Sequence, residues 1–127
     1  MPRDPRAYLW DVREAADRIA RFVRDRDIEA FVADDLVASA VERQLEIIGE
    51  ALSQLTTVAP DVAKQIHDLP RIGGLRNVII HAYIKVRRDW IWRDVHADLP
   101  RLRKTVATLK KMGPLPAYTL RESVVAD

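Results

Sequence analysis

The sequence contains no cysteine and only 4 glycines among its 127 residues. Without cysteine there is neither a disulfide framework nor a thiolate metal site, which fits a reducing compartment. The scarcity of glycine argues against a Gly/Ser linker between domains and against a glycine-rich loop for a mononucleotide. We therefore expect a single domain that needs no cofactor.

Long apolar runs are also missing. No window approaches the ~18 apolar residues of a membrane span, and the charges at Arg3, Asp4 and Arg6 are not followed by an apolar run of signal-peptide length. The 3 histidines show no spacing with carboxylates that suggests a metal site. We expect a cytoplasmic protein that binds neither membrane nor metal.

What is present is the composition of an ordinary globular domain, 48% hydrophobic and 31% charged residues. The net charge of +2 conceals an asymmetry: residues 1–70 hold 9 basic and 14 acidic side chains, and residues 71–127 hold 12 and 5. A basic second half is compatible with a surface for a polyanion. Pairing of acidic with basic helices would explain the same distribution, and charge alone does not decide between them.

The hydrophobic period is helical almost throughout the chain. Because short connections make successive helices neighbours, the pattern predicts an all-α antiparallel bundle of four to five helices over residues 1–112, with an extended tail over 113–127. Ile28 to Phe31 is a short apolar patch between the first two helices, and Asp34 and Asp35 are expected to cap the second. Pro100 is expected to kink the last helix. The predicted helices run from about Asp4 to Asp27, Asp35 to Thr57, Pro60 to His67, Leu75 to Val86 and Asp89 to Met112.

The fourth predicted helix carries an unusual set of polar side chains. On a helical wheel, Tyr83 falls within about 20° of Arg76, and Asn77 and His81 lie about 100–140° from Arg76. The opposite arc is apolar and holds Val78, Ile79, Ala82 and Val86. A plain surface helix more often carries Glu and Lys, so this face is a candidate catalytic site.

Each of these residue types suits phosphodiester chemistry. Arginine binds phosphate with two parallel hydrogen bonds and stays charged. Histidine exchanges protons near neutral pH. Asn77 is placed to orient the imidazole of His81, four residues later, and tyrosine donates to a phosphoryl oxygen or stacks on a base. We take Arg76 and His81 as the candidate catalytic residues, supported by Asn77 and Tyr83.

A second polar stripe, formed by Arg43, Glu46 and Glu50, lies on the second predicted helix. One interpretation is a solvated ladder of ion pairs, worth a few tenths of a kcal/mol. The other is a support that orients Arg76, or a cleft wall that partly neutralises it. Both interpretations stay open. His67 and His96 are expected at a helix end or in solvent, and Trp10, Trp90 and Trp92 in packing.

Three blocks carry a family resemblance. Residues 76–83 resemble the Arg-x-x-x-x-His-x-Tyr motif of HEPN domains, in the HepT-like toxin subgroup where Asn follows the Arg. Residues 40–51 and 98–102 are similar to two further blocks of that subgroup, in the same order, so the resemblance spans about residues 7–110. Ala82 stands where the subgroup usually has Gly, and Leu69 where it usually has an aromatic residue.

The resemblance implies a homodimer that cleaves RNA without metal in a shared cleft, as the toxin of a toxin-antitoxin pair. The implied partner is an MntA-type nucleotidyltransferase antitoxin, which in similar systems attaches AMP to the motif tyrosine, here Tyr83. A dimer also suits the chemistry, since cleavage by the ribose 2′-oxygen needs an acid and a base, and each chain offers one motif histidine.

Two other functions remain open. One is a non-catalytic helical adaptor that docks a minimal nucleotidyltransferase and presents its substrate, and the other is a structural dimer module. The joint presence of Arg76, Asn77, His81 and Tyr83 argues against both, because an adaptor needs no acid/base group.

Overall fold

The computed structural model of the chain describes residues 3–66 and 88–110. Within these two ranges the chain forms five helices and no strand, which confirms the all-α prediction. The helices are α1 (Pro5–Val23), α2 (Ile28–Ala33), α3 (Asp35–Val58), α4 (Pro60–Ala63) and α5 (Arg88–Lys110).

The predicted helix from Leu75 to Val86 lies outside the described residues, as does the predicted tail over 113–127. Both stay predictions.

The first helix ends earlier than its apolar pattern suggests. Asp4 caps α1 by accepting a hydrogen bond from the backbone N–H of Arg6 at 2.8 Å, and Pro5 occupies the first turn. The prediction extended the helix to Asp27, but α1 stops at Val23. The reason is local: Asp25 adopts φ 63°, the left-handed conformation that aspartate tolerates better than most residues.

A short helix follows where the sequence predicted only an apolar patch. Asp27 caps α2 by accepting from the N–H of Ala30 at 2.8 Å. Six residues span less than two turns, too few for a period to emerge from the sequence. Asp34 ends α2 and caps α3, accepting from the N–H of Val37 at 3.1 Å. The predicted cap at Asp34 and Asp35 is thus confirmed.

Helix α4 is shorter than predicted, whereas α5 reaches Lys110, the last described residue, so its predicted end near Met112 stays a prediction. α4 ends at Ala63, short of the predicted end near His67, and single-turn hydrogen bonds carry the chain on to Ile66. α5 continues through Pro100 as one helix. The kink predicted there stays a prediction.

The long helices pack antiparallel around one core. Tyr8 and Asp11, early in α1, share a groove with Glu50 and Gln54, late in α3. Asp17 of α1 pairs with Arg103, late in α5, whereas Val23 lies beside Val95 and Leu99. The α5 side of the core follows three-to-four spacing, through Ile91, Val95, Leu99, Leu102, Val106 and Leu109.

Across the described ranges, none of the helices combines the length and apolar character that crossing a membrane requires.

Candidate functional site

The four motif residues, Arg76, Asn77, His81 and Tyr83, lie outside the described residues. Their assignment as a site therefore stays a prediction. The structure does describe the polar stripe on α3 and the residues that flank the motif segment on either side.

Arg43, Glu46 and Glu50 lie along one side of α3, next to the N-terminal half of α1. Arg43 Nη1 is 3.2 Å from Glu46 Oε2, a pair between residues one turn apart. Glu50 Oε1 accepts from Gln54 Nε2 at 3.3 Å, again one turn along. The ladder predicted as one of two interpretations is thus partly formed. Ion pairs this exposed contribute about 0–1 kcal/mol to stability.

The same stripe forms one wall of a groove of about 370 Å³ between α1 and α3. The opposite wall comes from α1 and from Arg3, which precedes α1. Arg3 Nη1 is 2.7 Å from Asp11 Oδ2, and the Arg3 guanidinium lies 4.9 Å from the centre of the Tyr8 ring. This α1–α3 groove is lined by Arg3, Tyr8, Asp11, Arg43, Glu46, Ile47, Glu50, Ala51 and Gln54. A guanidinium, a phenol and an apolar floor are suited to holding a planar group.

The charge of the α1–α3 groove limits what it can bind alone. Its lining holds three carboxylates, at Asp11, Glu46 and Glu50, against the guanidiniums of Arg3 and Arg43. Phosphate binding needs an excess of positive charge. The groove therefore suits a wall beside a cationic site better than a phosphate site of its own.

Three charged residues are buried within the described ranges, and none of them is among the site residues expected from the sequence; one is Asp98 of α5, which is 7% exposed. Glu42 on α3 is 5% exposed, and Arg88 at the start of α5 is 6% exposed. Burial raises the pKa of the Glu42 carboxyl; the Arg88 guanidinium partly opposes this, and the Glu46 carboxylate adds to it. A signal for Glu42 was available, since it falls in register with Ala38, Leu45 and Gly49 on the buried face.

Arg88 joins three helices. Its Nη1 donates to the carbonyl of Val32 at 2.8 Å and lies 2.9 Å from Asp35 Oδ1. Within the described residues, Arg88 Nε and Glu42 Oε1 are buried without a hydrogen-bond partner. Buried polar atoms of this kind are uncommon and call for a physical reason.

Of the two tryptophans of α5, Trp92 packs against the core as predicted. The Trp92 ring lies 5.3 Å from that of Phe31 and 4.1 Å from that of His96. His96 is exposed, and its Nδ1 lies 2.8 Å from the carbonyl of Trp92. Trp90 remains 47% exposed. The expectation that His96 is solvated holds.

Within the described ranges, no group of three or more histidine, cysteine or carboxylate side chains is placed to hold a metal ion. The motif segment was not part of those ranges, so the expectation of a site without metal remains a prediction.

Comparison with known proteins gives the family. Residues 12–109 match the family model described as Ribonuclease HepT-like. A protein of Methanocaldococcus jannaschii, named as an inferred RNase, is 34% identical over 82% of this chain and 94% of its own length. The probable ribonuclease HepT of Thermococcus cleftensis is 35% identical over 87% of this chain and its own full length.

A bacterial relative shows the same pattern. An inferred RNase of Caldanaerobacter subterraneus is 33% identical over 82% of this chain and 92% of its own length. No solved structure matches the chain. The helical architecture, the family model and the shared length of these relatives agree: the chain belongs to the HepT-like ribonuclease family of HEPN proteins.

Proposed function

We propose that this protein is a metal-independent endoribonuclease whose catalytic residues are Arg76 and His81. The observation that carries the proposal is the family match over residues 12–109, a span that contains the whole motif segment. Relatives that share this span are named as ribonucleases. These comparisons support ribonuclease activity for the family, and the motif supplies the chemistry for it here.

The proposed reaction is an internal phosphoryl transfer. The ribose 2′-oxygen attacks the adjacent phosphorus, forming the O2′–P bond as the P–O5′ bond breaks. One histidine takes the proton from the 2′-hydroxyl and a second gives a proton to the departing 5′-oxygen. Arg76 stabilises the charge that builds on the phosphoryl oxygens. The products are a 2′,3′-cyclic phosphate and a 5′-hydroxyl.

This chemistry favours a homodimer. Each motif holds one histidine, so a twofold axis beside the motif would bring the partner's His81 into the same cleft as the second acid/base group. Asn77 is proposed to orient the imidazole. The α1–α3 groove, with Arg43, Glu46 and Glu50, is proposed as a wall of this cleft.

The biological role proposed is that of a toxin held in check by a nucleotidyltransferase antitoxin. Tyr83 is the proposed control point, since it falls within about 20° of Arg76 on the helical wheel. An AMP attached to its hydroxyl would offer Arg76 a phosphate in competition with RNA, and would add bulk at the entrance.

One experiment tests the enzymatic proposal directly. Purified protein is incubated with total RNA in EDTA, and the ends of the products are analysed. We expect cleavage to 2′,3′-cyclic phosphate and 5′-hydroxyl ends, and a loss of roughly 10²–10⁴ in rate for His81→Ala. His96→Ala is the matched control, because His96 is an exposed histidine on α5. Parental cleavage by His81→Ala would refute the assignment, and inactivity of the parent in every RNA tested would favour the adaptor.

A tethered dimer tests the shared cleft. Two chains joined in one polypeptide, one of them carrying His81→Ala, should lose most of the activity of the tethered parent. Retention of about half the parental rate would show that one motif suffices, since both acid/base roles would then lie within one chain.

Modification is tested by co-expression with an MntA-type nucleotidyltransferase and intact-mass spectrometry. An added AMP that is absent from Tyr83→Phe supports the proposal. Neutralisation without a change of mass would mean that the partner inhibits by binding.

A further inference from the structure

The residues on either side of the motif segment are fixed in the core. Ile66 is 4% exposed and Arg88 is 6% exposed. Tyr83 precedes Arg88 by only five residues, so a fully extended chain keeps their Cα atoms within about 18 Å. The place where Arg88 is held therefore limits where the motif can lie.

Arg88 is held at the corner between α2 and α3. The Val32 carbonyl belongs to the last turn of α2, where backbone carbonyls lack a donor from their own helix, and Arg88 Nη1 donates to it at 2.8 Å. The same Nη1 lies 2.9 Å from Asp35 Oδ1, in the first turn of α3. One guanidinium therefore joins the end of α2, the start of α3 and the start of α5.

An apolar contact fixes the same corner one turn later. Trp92 follows Arg88 by four residues, and its ring lies 5.3 Å from that of Phe31, which is fully buried in α2. Ile91, which precedes Trp92 in the chain, is also fully buried. A shift of α5 by one residue would break the polar and the apolar contact together, because neighbouring residues on a helix face directions about 100° apart.

Burial makes the polar contact restrictive. A guanidinium that is 6% exposed has little water to replace a lost acceptor. Within the described ranges its Nε already has no acceptor, and Glu42 Oε1 has no donor. The Val32 carbonyl and Asp35 are thus the contacts that fix the side chain, and few alternative placements of the start of α5 would satisfy it.

From this geometry we propose that Arg88 is a positioning residue for catalysis: by locking the start of α5 to the α2–α3 corner, it sets the position of the motif that precedes it. The proposal rests on the ribonuclease function proposed above. Arg88 itself contacts no substrate in this scheme, so its loss affects the geometry of the reacting groups rather than the affinity for RNA.

Arg88→Met tests this, because methionine keeps the apolar stem and removes both polar contacts. We expect kcat to fall about tenfold or more, since small misplacements of catalytic groups are costly, with KM changed by less than about twofold. Arg88→Lys should recover part of kcat, because an ammonium can replace one of the two contacts. An unchanged kcat in Arg88→Met would overturn the proposal.

A second core variant separates positioning from plain loss of stability. Val106 is fully buried near the other end of α5, so Val106→Ala should lower the melting temperature as well. It should keep kcat within about twofold of the parent when both proteins are assayed fully folded. An equal loss of kcat in Val106→Ala would overturn the positioning role.

A measurement without RNA keeps the two proposals separate. Hydrogen exchange followed by mass spectrometry on peptides covering 76–83 should be about fivefold or more faster in Arg88→Met than in the parent. Arg18→Met, which removes an exposed arginine from an intrahelical pair on α1, should leave it unchanged. Faster exchange in Arg88→Met, found together with a parent that cleaves no RNA, would sustain the placement of segment 76–83 by Arg88 and reject the enzyme, whereas unchanged exchange in Arg88→Met would reject the positioning role.

Discussion

Glu42 and Glu46 lie one turn apart on α3, and their surroundings differ sharply. The Glu42 residue is 5% exposed, whereas the side chain of Glu46 is 35% exposed and pairs with Arg43 at 3.2 Å. Four residues advance a helix by about 40° beyond a full turn. That small rotation separates a carboxyl whose pKa is raised by burial from one for which a guanidinium and water are both available.

The difference shows which charges hold this bundle together. Arg88, whose charge opposes the rise in the pKa of Glu42, is 46 residues away in sequence, forms an ion pair with Asp35 and joins α2, α3 and α5. The partner of Glu46 lies within the same helix. Buried charges therefore connect separate helices here, whereas the exposed stripe stabilises one helix only slightly. Substitutions of Arg88 and Glu42 test the buried charges, and a substitution of Arg43 tests the exposed stripe.

The largest effect is expected for Arg88→Met on stability. The substitution leaves the Val32 carbonyl without a donor and removes the positive charge near buried Glu42. We expect the free energy of unfolding to fall by roughly 1–3 kcal/mol, the cost of losing a buried hydrogen bond from a charged donor, because the side chain of the ion-pair partner Asp35 is 76% exposed and stays solvated. Urea denaturation measures it. A loss below about 0.5 kcal/mol, the size of a typical surface change, would show that the corner does not depend on this residue.

The sequence revealed the helices but not this corner. Apolar residues at three-to-four spacing predicted the core faces of α1, α3 and α5, and Asp34 predicted the start of α3. Arg88 was indistinguishable from its neighbour Arg87 in a basic stretch. Its burial depends on the end of α2, a helix of six residues that the pattern did not reveal.

The candidate site, too, could be predicted from the sequence only in part. The residue types in segment 76–83 suggested phosphodiester chemistry because arginine, histidine and tyrosine have specific uses in it. The stripe on α3 was predicted from spacing, and the structure brings it together with Tyr8 and Asp11 of α1 and with Arg3, which precedes α1. The short connection between them predicted that α1 and α3 would be neighbours, but not which side chains of α1 would face the stripe, since packing between the two helices decides that.

A smaller effect, dependent on pH, is expected for Glu42→Gln. Because burial raises the pKa of Glu42 above its ordinary value of 4.5, the folded protein binds the proton more tightly than the unfolded chain does. The stability that Glu42 contributes is then fully present below pH 4.5 and is lost as pH rises through the folded pKa. Glu42→Gln should remove this loss and be at least as stable as the parent at neutral pH.

Unfolding free energies of parent and Glu42→Gln, measured in urea from pH 4 to 8, test this. The difference between them should change in favour of the variant as pH rises. Glu14→Gln, an exposed carboxylate on α1, is the control, and its difference from the parent should show no such trend. A variant that loses stability relative to the parent as pH rises would mean that attraction to Arg88 outweighs burial.

The smallest effect on stability, but a measurable one on activity, is expected for Arg43→Gln. The side chain of Arg43 is 68% exposed, so the change in unfolding free energy should stay within about 0.5 kcal/mol. Activity should respond more, because Arg43 is one of two guanidiniums that offset three carboxylates in the α1–α3 groove. We expect kcat/KM for RNA cleavage to fall about three- to tenfold at low salt, with the difference shrinking as salt screens the groove.

The matched control is Arg18→Gln, another arginine in an intrahelical pair, which lies outside the groove. Equal kcat/KM values for the parent and both variants at low salt would leave the stripe as an ion-pair ladder and remove the groove from the proposed cleft.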